Sequence, residues 1–157
     1  MRRNEVLMST LKVLVAAAAV AGGLAIPATA ANAQGPVNFS CGPALRPTQS
    51  MPKSQWQRMT SVGGRRGAAH LYTVGDAYKY RDVWWVWGSG LRGGDKVSLD
   101  WSDRRGVYHA CHATVKPGND SVTSFGVDDP GGRSFRACIK NVGGSWRCTG
   151  WWHTKSS

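Results

Sequence analysis

Val97, Leu99 and Trp101 alternate with Ser98, Asp100 and Ser102. A period of two with one apolar side is the pattern of a half-buried strand. Ser102 to Gly106 is a turn signal. Beyond it Val107, Cys111, Ala113 and Val115 share one face of a returning strand, with Tyr108, Ala110 and His112 on the other. Lys116 to Asp120 marks the next turn, Ser121 to Val127 a strand and Asp128 to Arg133 another turn. Ser134 to Lys140 and Ser145 to Trp152 predict a closing hairpin around Gly143. Upstream, Ala69 to Val74 is a first strand. Val83-Trp84-Trp85-Val86-Trp87 is apolar on both faces, as in a central strand or an edge covered by a partner. Six or seven short strands separated by turns predict an all-β fold, a small antiparallel β-sandwich of immunoglobulin-like type. A small closed barrel is the second choice.

The pattern stops before residue 68. Gln34 to Gln57 contains Pro36, Pro43, Pro47 and Pro52 and few apolar residues, so it is expected to be extended and irregular. Ser61 to Gly67 is rich in Gly and Arg and predicts a loop. The expected organisation is an extended segment over 34–67 and the sandwich over 68–157.

Residues 1–33 carry a different signal. Arg2 and Arg3 precede an Ala-, Val- and Leu-rich stretch from Leu11 to Ile26, and Ala31-Asn32-Ala33 supplies small residues for cleavage. This is the pattern of a secretory signal peptide with the mature chain starting at Gln34. The stretch is short for a membrane span and no second one follows, so a secreted, extracellular protein without a membrane anchor is expected.

Export changes the reading of the four cysteines, Cys41, Cys111, Cys138 and Cys148. An even number in a small exported domain indicates disulfides, and no Cys-x-x-Cys spacing suggests a metal. Four cysteines allow three connectivities. The turn at Asn141-Val142-Gly143-Gly144 brings Cys138 and Cys148 face to face in an antiparallel hairpin, which leaves Cys41 to pair with Cys111.

The formal net charge is +11, and the only glutamate, Glu5, lies in the leader. Eight tryptophans and 20 glycines accompany few leucines outside the leader. That composition disfavours helices and suits short strands and turns. The charge favours acidic partners without choosing among them.

Gly88-Ser89-Gly90-Leu91-Arg92-Gly93-Gly94-Asp95 and Trp101-Ser102-Asp103-Arg104-Arg105-Gly106-Val107-Tyr108-His109-Ala110-Cys111 resemble a strand–turn–strand entry and a hairpin of the neocarzinostatin-like sandwiches of actinobacteria. Those carriers pair the hairpin cysteine within the hairpin and are usually acidic. The resemblance therefore implies the sandwich and not the ligand. In layout, with a leader, an extended segment and a disulfide-bonded β domain, the chain also resembles the small secreted adaptor of Streptomyces umbrella toxin particles. That resemblance implies an adaptor joining a large ring-and-stalk subunit to a lectin-bearing one.

Most of the residues that could carry chemistry have plainer structural roles. His109 and His112 flank Cys111, but residues three apart on a strand point to opposite faces, so they do not converge on a metal. His70 and His153 are isolated, no Gly-x-Ser-x-Gly elbow occurs, and Gly63-Gly64 and Gly93-Gly94 lack a phosphate-loop lysine. No catalytic residue, metal or cofactor is assigned. Trp85, Trp87 and Trp101 are expected in the core. Trp84, Trp146, Trp151 and Trp152 are expected to contribute a partner-binding face, with Arg65, Arg66, Arg104 and Arg105 steering acidic surfaces. The expected function is a non-enzymatic, secreted protein-binding adaptor, with other secreted proteins as partners and nucleic acid disfavoured. A cell-wall or glycan-binding module, or a secreted basic nuclease, is the alternative.

Overall fold

The computed structural model describes residues 38–50, 52–78, 81–103 and 105–154. The leader predicted over 1–33 and Arg104 lie outside them. Eleven strands account for almost all the regular structure. They are β1 (Asn38–Phe39), β2 (Gln57–Gly63), β3 (Ala68–Tyr78), β4 (Arg81–Ser89), β5 (Lys96–Ser102) and β6 (Tyr108–Thr114). After these come β7 (Ser121–Thr123), β8 (Val127–Asp129), β9 (Ser134–Lys140), β10 (Arg147–Cys148) and β11 (Trp152–His153). A four-residue helical turn, Pro47–Ser50, and a 3-10 turn, Lys53–Gln55, lie between β1 and β2.

The first sheet runs β1-β6-β5-β9-β10, with β11 also paired to β9. The second runs β2-β3-β4-β7, with β8 also on β4. All pairings are antiparallel except the short β1–β6 contact. The expected disulfide-stabilised β-sandwich is therefore what the chain forms.

The alternation in β5 sets the core. Leu99 is opposite Cys111 on one neighbour and Ala137 on the other. Val97, Leu99 and Trp101 thus join Phe135, Ala137 and Ile139 facing inward, and meet Ala69, Leu71, Trp84 and Val86 of the second sheet. Burial of this apolar surface is the main favourable term holding the sheets together.

Both disulfides pair as expected. Cys138 and Cys148 lie directly opposite in the β9–β10 ladder. Cys41–Cys111 fastens the N-terminal segment to β6.

The N-terminal region differs from the expectation. Ser61–Gly63, expected in the Ser61–Gly67 loop, instead ends an edge strand of the second sheet, Gln57–Gly63, paired along β3. The stretch before it is folded onto the domain as well. Leu45 and Gly126 exchange main-chain hydrogen bonds of 3.1 and 2.7 Å. Trp56 packs edge-on against Trp85 at 5.3 Å and Tyr72 at 5.5 Å, and Lys53 lies over the rings of Trp56 and Trp87. The reason is visible in β4. Its outward residues Val83 and Trp85 are apolar, and Leu45 and Trp56 help to cover them in a second buried cluster with Val74 and Tyr72. The cover for the two-faced strand thus comes in part from this chain.

Candidate binding face

The outer face of the first sheet carries Asp100, Tyr108, His112, Arg136, Trp146 and Trp151. Asp100 points outward from β5, yet it is only 4% exposed. Register puts it opposite Arg136 on β9 and Ala110 on β6. Arg136 Nε donates to its carboxylate at 2.9 Å, Ser98 Oγ donates at 2.5 Å, and the Tyr108 hydroxyl donates as well. Burial and the bond to Asp100 push the Tyr108 phenol above its ordinary range and keep it neutral. The carboxylate is thus paired and hydrogen-bonded, as a buried charge must be.

This cluster anchors the C-terminal segment. The Arg136 guanidinium stacks over Trp151 at 4.5 Å, and Trp151 meets Tyr108 edge-on at 5.6 Å. Cys138 Sγ lies 3.0 Å from Asp100 Oδ2, so the Cys138–Cys148 bridge passes beside the same carboxylate. Asp100 and these two sulfurs are the one cluster of potential metal-ligating atoms among the described residues. Both sulfurs are bonded to each other.

At the Lys96 end of the sheet, His112 and Trp146 pack with ring centroids 5.0 Å apart. Burial and the ammonium groups of Lys96 and Lys140 lower the His112 pKa against the opposing pull of Asp100, which favours the neutral ring. Trp146 is 36% exposed and Trp152 40%. Residues 146–153 therefore present two open indoles at opposite ends of β9, Trp146 beside outward His112 and Trp152 opposite inward Phe135, on a backbone pinned by a disulfide and a cation–π stack. Flat aromatic surface beside cations is suited to a partner with apolar and acidic groups.

The structure sorts the expected binding residues. Trp146, Trp151 and Trp152 do lie in one segment. Trp84 offers no open surface: it is 2% exposed and stacks on Phe135 inside the sandwich, because β4 turns it inward with Val86, and its ring lies 6.4 Å from that of Trp152. Trp87, expected in the core, is half-buried on the outer face of the second sheet, next to His70. Of the expected arginines, Arg65, Arg66 and Arg105 are among the described residues. Arg66 pairs with Asp95 before the start of β5, at 3.5 Å, while Arg105 is exposed in the turn after its end. Arg65 is exposed beside Arg66.

His109 and His112 point to opposite faces, His109 stacking on Trp101 at 4.0 Å. His70 bonds Ser89 at 3.2 Å. His153 Nδ1 lies 2.7 Å from Ser134 Oγ. These last two residues are a registered cross-strand pair at an exposed strand end, and among the described residues no carboxylate orients the imidazole. The convergence of Arg136 and Tyr108 on Asp100 was not foreseen from sequence. Their signal was an aspartate at an outward position between two strands, each carrying a matching donor.

Compared with protein-family models, curated proteins and solved structures, the chain gives no match.

Proposed function

We propose that this chain is an exported, non-catalytic protein-binding module, and that it acts as an adaptor between secreted proteins. The observation that carries the reading is the pair of open indoles, Trp146 and Trp152, on a segment immobilised by Cys138–Cys148 and the Trp151–Arg136 stack. A rigid aromatic surface loses little entropy when a partner covers it. The two disulfides fit an oxidising compartment, and among the described residues no helix is long and apolar enough to cross a membrane. The leader pattern supports export. The layout resemblance supports a place in an antibacterial toxin particle, with its subunits as partners.

The test is capture from the producer's culture supernatant with tagged mature protein, alongside the Trp146→Ala/Trp152→Ala variant. Wild type should retain defined secreted proteins at stoichiometric yield. The variant should lose them while unfolding at the same temperature. Recovery of bare monomer by both would overturn the proposal. Retention of polysaccharide released by free sugar would replace it with the glycan-binding reading.

A further inference from the structure

A cleft of about 290 Å3 lies beside β9 and the β9–β10 turn, where the edge strands β2 and β10 approach each other. Arg65 enters it from the β2–β3 loop of the second sheet, and Arg147 from β10 of the first. No carboxylate lines the cleft. Both arginines are exposed, and neither has an acidic partner among the described residues.

The walls are fixed in place. Asn141 is 4% exposed, and both ends of its carboxamide are used on the opposing loop. Its Oδ1 accepts the Arg65 N–H at 2.7 Å, and its Nδ2 donates to the Arg66 carbonyl at 3.3 Å. Gly64 is required at this seam, since a Cβ there would stand 2.4 Å from Asn141 Oδ1. Gly143 adds a wall without a side chain.

The acid that ties these loops together is turned inward. Asp95 is fully buried and accepts the N–H groups of Val142 at 2.8 Å and Arg92 at 3.1 Å, with Arg66 Nε at 3.5 Å. Burial alone would raise its pKa, but these donors, the Asn141 carboxamide and the Arg66 charge hold it below the usual carboxylate range. Asp95 is thus matched by Arg66, and the positive charge of Arg65 and Arg147 is left for something outside the chain.

We propose that this cleft binds a tetrahedral oxyanion, a phosphate or sulfate group, held between Arg65 and Arg147. Guanidinium forks donate two parallel hydrogen bonds to such groups, and here two of them line one cleft with no carboxylate beside them. The cleft is roughly ten times the volume a water occupies in the liquid, enough for the anion and the first atoms of whatever carries it. Ser145 and Arg147 of the cleft flank Trp146 in the chain, and anion binding between the arginines does not depend on the role of that indole.

The test is titration of 15N-labelled mature protein with inorganic phosphate, inorganic sulfate and glycerol 3-phosphate, each against chloride at equal ionic strength. Saturable shifts should appear at the amides of Arg65, Gly143, Gly144 and Ser145. Arg65→Gln and Arg147→Gln should each weaken binding about ten-fold, the scale of one lost charge-assisted bond. Lys116→Gln, at an exposed turn, should change nothing. Tighter binding of glycerol 3-phosphate would identify an esterified group as the ligand, and equal or tighter binding of the inorganic ions a free anion. Non-saturable shifts spread over all basic residues, or equal effects of the three variants, would overturn the proposal.

Discussion

The indole of Trp84 lies flat on the ring of Phe135, with centroids 4.8 Å apart and planes 5° from parallel. The two residues belong to β4 and β9, so the stack joins the sheets across the middle of the sandwich. Trp84→Ala should cost about 3–5 kcal/mol, the range for deleting a large buried aromatic. Urea unfolding measures this directly. An unchanged midpoint would mean that the stack does not hold the sheets.

Cys41–Cys111 closes a sequence separation of 70 residues. Replacing both cysteines by Ala should lower stability by about 4 kcal/mol on the chain-entropy estimate. The loss should be felt first where Leu45 and Trp56 cover the second sheet. Limited proteolysis with mass mapping should show new cleavage within residues 42–56, while β5 and β9 stay protected. Cleavage starting in the central strands instead would mean that the segment is not held by this bridge.

Arg136→Met leaves the Asp100 carboxylate buried without its cation. The expected cost is roughly 3 kcal/mol, at the lower end for breaking a buried pair because Arg136 keeps some solvent contact. Adding Asp100→Asn should recover most of it, since the charge to be compensated is then gone. A double variant as unstable as the sum of the singles would show that the two groups are not coupled.

Stability should decline as the solution is acidified, in two stages. The pKa values of His70 and His112 are lowered from 6.5, His70 by burial and the Arg58 charge, His112 by burial and its lysines. The unfolded chain therefore binds protons first, and stability present above pH 6.5 is lost as pH falls through the folded values. Asp95 and Asp103 are lowered from 3.8, because their hydrogen bonds outweigh burial. Their contribution is present above pH 3.8 and is lost below it, as pH falls through the folded values. Melting temperature against pH reads both stages, and Asp95→Asn should shrink the lower one. Stability that rises between pH 6.5 and 5 would contradict the first.

Much of the fold was legible in order along the chain. The period-two runs at Val97–Trp101 and Ser134–Lys140 and the turns between them specify strands, because alternation places every second side chain on one face whatever the strand packs against. The hairpin spacing of Cys138 and Cys148 is likewise local, and with four cysteines it fixed the other bridge. What lies between distant segments was not legible. Val83–Trp87 shows that two apolar faces need cover, but not that Leu45 and Trp56 help to cover one of them. Gln57–Gly63 has no apolar alternation of its own and becomes a strand by pairing with β3. Trp84 and Trp85 are neighbours in sequence, yet one fills the core between the sheets and the other the cluster outside them. Asp100 reads as a solvated outward residue until register sets Arg136 beside it. Arg65 and Arg147 share a cleft only because two sheet edges approach each other. Sequence determined the local period and the turns; the tertiary structure decided which faces meet, since that depends on pairings between residues far apart in the chain.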